Sequence, residues 1–229
     1  MRNHPILITA LAACAVISLT AYSEPAAKSS TATTQLFNGR NLDGWSHVLV
    51  GDNVKKEDVW TVKDGVIICK GTPLGYLFTN TSHQDFKLSF EWRWPTGTTP
   101  GNSGVLLRIA GKPATFMPKC VEAQLKHENA GDAWGFFGAS LDGPPDRIQE
   151  IKDHATLGKF KGIKKIKPAE KPAGEWNQYE ITVSGGNLEL KVNGELVNQV
   201  SGLDILAGPI GLQSEGAEIH FRKIHLEPK

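Results

Sequence analysis

Apolar residues alternate with polar residues along most of this chain, and turn-forming dipeptides interrupt the alternation at short intervals. In segment 179–183 every second residue is apolar, and Gly185-Gly186 and Asn193-Gly194 separate it from two further segments of the same kind. Gly and Asn adopt the positive φ angles that tight hairpin turns require. A side-chain period of two therefore predicts antiparallel strands that bury one face.

The same pattern recurs from residue 59 to residue 226, and no segment shows a helical period of comparable strength. Short strands joined by turns rich in Gly and Asn are typical of sandwiches and barrels. The sequence predicts an all-β fold, a two-sheet antiparallel sandwich of the jelly-roll type. The predicted strands cover residues 59–63, 66–69, 86–94, 104–109, 121–125, 179–183, 188–192, 195–197, 210–213 and 219–226.

The charge balance argues against some classes of partner. The 229 residues include 25 Lys and Arg against 24 Asp and Glu, a formal net charge of +1. Nucleic acid is therefore not expected as a partner, because polyanion binding needs an excess of positive charge. Hydrophobic residues make up 40% of the chain, enough for the core of a single domain, which we predict over residues 35–229.

The first 23 residues have the pattern of a signal peptide. Arg2 precedes an apolar run over residues 5–19, and Ala21-Tyr22-Ser23 forms a small-x-small cleavage site. The run is short for a membrane span, so no transmembrane helix is expected in the mature chain. These features predict an exported protein, periplasmic or secreted, in which residues 24–34 form a flexible leader.

The cysteines leave two alternatives open. Leu11-Ala12-Ala13-Cys14 resembles a lipoprotein processing site, so a lipid anchor at Cys14 is the less favoured interpretation of the export signal. Cys69 and Cys120 would meet an oxidising compartment, where they are able to pair. Their spacing does not indicate a zinc site.

Polar side chains fall on one face of several predicted strands. In strand 104–109, Val105, Leu107 and Ile109 are predicted to face the core, which leaves Arg108 on the opposite face. Carboxylate, guanidinium and amide groups together suit the hydroxyls of a sugar, although any one pair of charges would also fit a cross-strand ion pair. The predicted cluster comprises Asn102, Arg108, Glu122, Gln124, Gln213 and Glu215, with Glu91 and Arg93 as further members.

The segment that follows Glu122 adds an aromatic residue and three candidate metal ligands. Trp134 lies among glycines, where an exposed indole would stack on a pyranose ring and a buried one would belong to the core. His127, Glu128 and Asp132 offer nitrogen and oxygen ligands for a divalent cation, but no dedicated metal motif contains them. A divalent metal therefore stays an open alternative.

Residues 127–176 show little regular pattern and contain six lysines between 159 and 171. Long irregular segments in compact domains are usually functional or mobile. We interpret this segment as a solvated loop, with a lid over an oxygen-rich ligand as the alternative.

Several segments in a fixed order resemble the 3-keto-disaccharide hydrolase family, which is also described as 3-keto-glucoside lyases and hydratases. The resemblance runs from Leu36 to Leu226, and its specificity lies in the ordered set. The segments that carry it are residues 36–45, 102–108, 122–124, 174–179, 192–194, 208–213 and 221–224.

The resemblance implies a concanavalin-like jelly-roll sandwich that acts on glycosides whose C3 hydroxyl has been oxidised to a ketone. It implies Glu122 as the base that removes the C2 proton and Arg108 as the group that stabilises the enolate or carbonyl oxygen. Gln124, Gln213 and Glu215 would then contact the sugar, and one of the acids would assist the leaving group. At position 127 this chain has His where the family often carries Asp, which puts the specificity there in question.

Two other functions fit the same residues. A non-catalytic, lectin-like module would use the same sandwich and the same amide and aromatic contacts, without needing a buried carboxylate. A conventional retaining glycoside hydrolase would need two carboxylates about 5 Å apart. Gln124 stands where a second acid on the Glu122 strand would be, and Glu215 would have to supply it from a neighbouring strand.

Overall fold

Two antiparallel sheets, each of eight strands, pack face to face in the computed structural model, which describes Met1, residues 32–113 and residues 115–229. Apart from Met1, the predicted signal peptide 1–23 lies outside the described residues, as do Cys14 and most of the predicted leader. The first strand begins at Thr34, one residue before the predicted start of the domain. No helix within the described ranges is long and apolar enough to cross a membrane.

The described residues form sixteen strands, one short helix, α1, at Lys56–Val59, and one 3-10 turn at Pro145–Arg147. The strands are β1 (Thr34–Gln35), β2 (Trp45–Leu49), β3 (Trp60–Lys63), β4 (Val66–Cys69), β5 (Gly75–Thr79), β6 (Phe86–Arg93), β7 (Gly104–Ala110), β8 (Lys119–Gln124), β9 (Ala133–Phe136), β10 (Ile148–His154), β11 (Gly158–Ile163), β12 (Asn177–Ser184), β13 (Asn187–Val192), β14 (Glu195–Val200), β15 (Gly211–Ser214) and β16 (Ile219–Pro228).

We call the two sheets the back sheet and the front sheet. The back sheet has the order β14-β13-β12-β6-β16-β4-β3, with β1 paired to β16. The front sheet has the order β10-β11-β9-β8-β7-β15-β5-β2. Neighbours in the sheets are often distant in sequence, as the crossed connections of a jelly roll require. The predicted all-β sandwich is confirmed.

The main core fills the space between the sheets. Along β6, Phe86, Leu88, Phe90 and Trp92 are buried at alternate positions, as a period of two dictates. Full burial of one such side chain contributes about 1.5–3 kcal/mol. Front-sheet residues of β7, β8 and β15 pack into the same cluster, including Val105, Leu107, Val121, Ala123 and Leu212.

A second apolar cluster lies on the outer face of the front sheet. It contains Leu106, Met117, Cys120 and Phe136. Leu106 and Cys120 are next to Val105 and Val121 along their strands, and those two valines belong to the main core. An apolar cluster outside the main core indicates a surface that other segments of the chain cover. Part of that cover comes from Leu157, between β10 and β11.

The predicted loop over residues 127–176 is instead partly strand. Its segments β9, β11 and β10 add in that order to the edge of β8 and extend the front sheet. Charged side chains on edge strands protect a sheet from pairing with other chains, and they also weaken the apolar alternation. The many lysines of this segment therefore explain why the sequence pattern did not predict the β10–β11 hairpin.

Cys69 and Cys120 are both buried and both free. Cys69 belongs to the main core between the sheets, whereas Cys120 belongs to the cluster on the outer face of the front sheet. The front sheet lies between the two thiols, so the disulfide that the sequence left open does not form. Burial raises the pKa of the Cys69 thiol to about 12.

Candidate active site

A cleft of about 270 Å³ opens on the outer face of the front sheet. Six of the residues that the sequence predicted for the site line it, from four different stretches of the chain. They are Asn102, Glu122, Gln124, Asp132, Trp134 and Glu215. The period-two argument for the Glu122 strand holds, because Val121 and Ala123 face the core and Cys120 lies on the outer face.

Four residues stand side by side across the floor of the cleft, and we call them the middle row. On successive strands, Leu106 pairs with Glu122, Glu122 with Trp134, and Trp134 with Gly162. Strand register therefore places a carboxyl and an indole next to each other.

Two glycines make room for these side chains. A Cβ on Gly104 would lie 1.9 Å from Oε1 of Glu122, and a Cβ on Gly162 would lie 2.3 Å from Cε3 of Trp134. The carboxyl therefore lies over the strand on one side, and the indole lies over the strand on the other. The two side chains therefore lean away from each other.

Glu122 is buried without a full set of partners. Its side chain is only 1% exposed, and its Oε1 has no hydrogen-bond partner in the described part of the chain. Its Oε2 accepts a long hydrogen bond of 3.4 Å from Nε2 of Gln124. Burial raises the pKa of Glu122 well above its usual value, and the negative charges of Glu215 and Asp132 raise it further. A buried carboxyl of this kind favours its neutral form.

Glu215 is the second carboxyl of the cleft. Burial raises its pKa to about 7, while hydrogen bonding to Asn102, the charge of Lys126 and hydrogen bonding to Gln213 oppose that rise. Because its charge acts on Glu122, the two carboxyls titrate as a pair. Around neutral pH such a pair holds a proton that it can give or accept, which is what acid–base catalysis requires.

Trp134 forms one wall of the cleft and is half-buried. Its ring lies edge-on to Phe160, with 5.5 Å between centroids, and Nζ of Lys164 is 5.3 Å from its centroid. Nζ of Lys164 also lies 2.9 Å from Oδ2 of the buried Asp132. The indole is therefore held at the cleft surface rather than in the main core.

Arg108 is not in the cleft, which corrects the sequence prediction. Its guanidinium donates to the backbone oxygens of Gln84, Gly185 and Asp204 at 2.7–3.0 Å. It also forms an ion pair of 3.1 Å with Asp85. These contacts tie the front sheet to turns of the back sheet, so the side chain closes one end of the sandwich.

The cause is a β-bulge. Arg108 has a φ of +50°, and the register between β7 and β8 shifts between Leu107 and Ala110. An extra residue reverses the faces of all residues after it. Ile109, which was predicted to face the core, accordingly lies in the outer cluster.

Three more predicted residues do not line the cleft. Gln213 is fully buried and does not line the cleft, although its Nε2 lies 4.0 Å from Sδ of Met117, which does. Glu91 is on the back sheet, where it accepts hydrogen bonds from Arg222 and Lys223. Arg93 is on the same strand, with its guanidinium 4.5 Å from the ring of Trp176. Both charges therefore belong to the sheet opposite the cleft.

The three candidate metal ligands do not converge. Nδ1 of His127 lies 2.9 Å from Oε1 of Glu170, and the backbone N–H of Glu128 donates to the other oxygen of that carboxylate. Asp132 pairs with Lys164. Within residues 32–113 and 115–229, no group of three or more His, Cys, Asp or Glu side chains is arranged to hold a metal.

The β10–β11 hairpin supplies cleft residues that the sequence did not indicate. Phe160 and Ile151 come from its two strands, and Leu157 and His154 from its tip. The available signal was the pair of apolar residues at 148 and 151 opposite those at 160 and 163, which is weak among so many charges.

A larger groove of about 630 Å³ lies on the back sheet beside segment 142–144. No aromatic side chain lines it among the described residues. Asp142 and Glu189 are its two carboxylates, and Glu189 accepts a hydrogen bond from Lys191 that lowers its pKa. The smaller cleft is the candidate active site, because it alone of the two contains carboxyls whose pKa values are raised by removal from water.

Comparison with known proteins supports a carbohydrate-related family. Residues 32–227 match the sequence model of the 3-keto-alpha-glucoside-1,2-lyase-like domain. Two crystal structures of candidate glycosyl hydrolases from Parabacteroides distasonis are similar in fold, each at 22% identity over 86% of this chain. The matches cover 94% and 100% of those two chains, and the TM-scores are 0.61 and 0.59, respectively. The β-glucanase of Bacillus licheniformis has a TM-score of 0.51 at 11% identity, over 85% of this chain and 96% of its own. No curated protein sequence is a significant match.

Proposed function

Because this chain belongs to the 3-keto-alpha-glucoside-1,2-lyase-like family, we propose that it is an exported enzyme that cleaves 3-keto-glycosides by elimination. The observation that carries the proposal is the state of Glu122. Its carboxyl is buried at a cleft, one oxygen has no partner in the described part of the chain, and a second carboxyl titrates with it. A raised carboxyl pKa in a cleft favours catalysis over binding alone.

The chemistry follows from the ketone. A carbonyl at C3 makes the proton on C2 acidic, so a carboxylate can take that proton and leave an enediolate. The electron pair then forms a C1–C2 double bond as the C1–O bond breaks, the C3 ketone returns, and the departing oxygen takes a proton. Addition of water, with hydroxyl to C1 and hydrogen to C2, gives the free 3-keto sugar. The protein must supply a base, an acid and donors for the enolate oxygen.

We assign the base to Glu122 in the state in which the proton of the pair lies on Glu215, and Glu215 then gives that proton to the leaving oxygen. A carboxylate with few hydrogen-bond donors is a stronger base than a solvated one, since little stabilises its charge. The pKa of Glu215, at about 7, suits a group that must give and regain a proton near neutral pH.

Arg108 cannot serve the enolate in this arrangement, because its guanidinium is committed to Gln84, Asp85, Gly185 and Asp204. Donors that line the cleft take that role instead. Oε1 of Gln124 accepts the backbone N–H groups of residues 125 and 126, which leaves its Nε2 beside Glu122. Lys126 and Lys164 line the same cleft and add positive charge.

A conventional glycoside hydrolase is the second candidate, and the coupling of Glu122 with Glu215 favours it. Two carboxyls flanking the scissile bond would hydrolyse an ordinary glycoside without a ketone. The two mechanisms differ in what they require of the substrate and in what happens at C2.

The deciding experiment incubates the purified protein with a 3-keto-glucoside and with its unoxidised parent, in D₂O, with and without EDTA. Elimination predicts cleavage of the keto compound alone, and hydration of the intermediate places deuterium at C2 of the released sugar. A blank without protein corrects for spontaneous exchange.

Cleavage of the parent compound, with protium kept at C2, would replace elimination by conventional hydrolysis. Binding of both compounds without cleavage would favour the lectin-like function. Loss of activity in EDTA, with recovery on adding a divalent cation, would make the enzyme metal-dependent.

A further inference from the structure

The cleft changes from polar to apolar along the direction of its strands. On one side of the middle row, Cys120 pairs with Phe136, and Phe160 pairs with Ile151. The rings of Phe136 and Phe160 are 4.8 Å apart, so these residues form one continuous apolar row. Residues two positions along a strand are about 7 Å apart, which places this row one side chain away from Glu122.

The opposite side of the middle row is polar. Gln124 is two positions beyond Glu122 on β8, and Asn102 and Glu215 form an isolated bridge beside it. Lys126 lines the same end. Amide, carboxyl and ammonium groups here offer both donors and acceptors of the kind that sugar hydroxyls pair with.

The tip of the β10–β11 hairpin completes the apolar end. Leu157 is buried in the outer cluster, and the ring of His154 lies 5.9 Å from that of Phe160. Nδ1 of His154 accepts the backbone N–H groups of Thr156 and Leu157. A neutral imidazole that accepts at Nδ1 carries its proton on Nε2, so this end offers one ring donor among aromatic and aliphatic side chains.

We infer that the apolar end is the subsite for the leaving group, and that the enzyme prefers 3-keto-glycosides with an aromatic or other apolar aglycone to those with a second sugar. The inference rests on the proposed function, since it takes Glu122 to act at the junction between the sugar and the aglycone. A second sugar at this end would bury hydroxyls opposite Phe136, Phe160, Ile151 and Leu157, and unpaired buried hydroxyls are costly.

The test compares benzyl and 2-hydroxyethyl 3-keto-glucosides, because their leaving alcohols are of similar acidity and differ in polarity. We expect kcat/KM to be about tenfold higher for the benzyl compound, the range that apolar pockets achieve. Phe160→Ala should remove most of this preference, and Phe160→Leu should keep it. Glu150→Ala is the matched control, since Glu150 is exposed, does not line the cleft and adjoins Ile151 on the same strand.

Binding of the two unoxidised glucosides, measured by calorimetry, tests the subsite without turnover. Equal kcat/KM for the two keto compounds in the wild type would overturn the inference, as would an equal loss for both in Phe160→Ala. Tighter binding of the benzyl glucoside, lost in Phe160→Ala, with no cleavage of either keto compound, would uphold the subsite and reject the proposed function. Cleavage of both without preference would reject the subsite alone.

Discussion

The outer faces of the two sheets differ in how far their charged side chains are exposed to solvent and paired. On the back sheet, Glu180 pairs with Lys87 and Glu91 pairs with Arg222, and all four side chains are partly exposed. On the front sheet side, Glu122 is buried and Glu215 is half-buried, each interacts with the other, and the pKa values of both are raised. Exposed pairs contribute about 0–1 kcal/mol, whereas a buried carboxyl without a partner opposes folding in its charged form. The sandwich thus has one outer face with solvated ion pairs and one outer face with carboxyls removed from water in a cleft.

The largest test of this contrast exchanges one carboxyl on each face for an amide. Glu122→Gln should lower kcat/KM for a 3-keto-glucoside by about 10²–10⁴-fold, the usual contribution of a general base. Glu91→Gln, on the back sheet, should change it less than about twofold, because the pair is exposed and remote from the cleft. Equal losses in the two variants would remove the distinction between the faces.

The second test displaces the base without removing it. Gly104→Ala would place a Cβ 1.9 Å from Oε1 of Glu122, so the carboxyl must move. Activity should fall by roughly tenfold or more, and overpacking should cost about 1–3 kcal/mol of stability. Gly186→Ala is a matched control, because its Cβ would meet nothing closer than 3.4 Å. Activity and urea unfolding of both variants check the prediction.

The third test concerns stability and pH. The pKa of Glu122 is raised in the folded state above its usual value of 4.5. Folding therefore takes up a proton at any pH between the usual pKa and the raised pKa. The stability that the protonated carboxyl provides is full below pH 4.5 and is lost as the pH rises through the raised pKa. The amide of Glu122→Gln stays neutral, so the variant should be more stable than the wild type by about 1–3 kcal/mol at pH 8.

That gain should shrink towards zero at pH 4.5, where the wild-type carboxyl is also neutral. Urea unfolding of both proteins across this pH range measures it. A gain that does not depend on pH would mean that Glu122 is not the titrating group.

The smallest expected effect is on the back sheet. Glu180→Gln removes the partner of Lys87 from an exposed cross-strand pair. The free energy of unfolding should fall by less than about 1 kcal/mol, and added salt should reduce the difference by screening. A larger loss that persists in high salt would show that charge pairing on this face also determines the fold.

Alternation along the sequence identified the sandwich and the face of Glu122, since both follow from a period of two. It failed at Arg108 because a bulge is a single inserted residue, and three successive apolar residues at 105–107 hid where the alternation reversed. It also missed Phe160 and His154, because a hairpin at a sheet edge has few apolar residues to show a period. The two carboxyls of the cleft were accessible to sequence reasoning, but the wall that the β10–β11 hairpin adds to the cleft was not.

The position of the β10–β11 hairpin determines which part of the cleft can change independently of the rest. Among the described residues, the β10–β11 hairpin pairs with the rest of the front sheet through β11 and β9, over residues 161–163 and 133–135, and adds side-chain contacts of Phe160 and Leu157. Glu122 lies on β8 and Glu215 directly follows β15, so the proposed catalytic pair and the proposed aglycone subsite belong to separate parts of the chain. Under that proposal, exchange of this one hairpin is a route by which gene divergence, or a protein engineer, would change the accepted aglycone while leaving the pair in place.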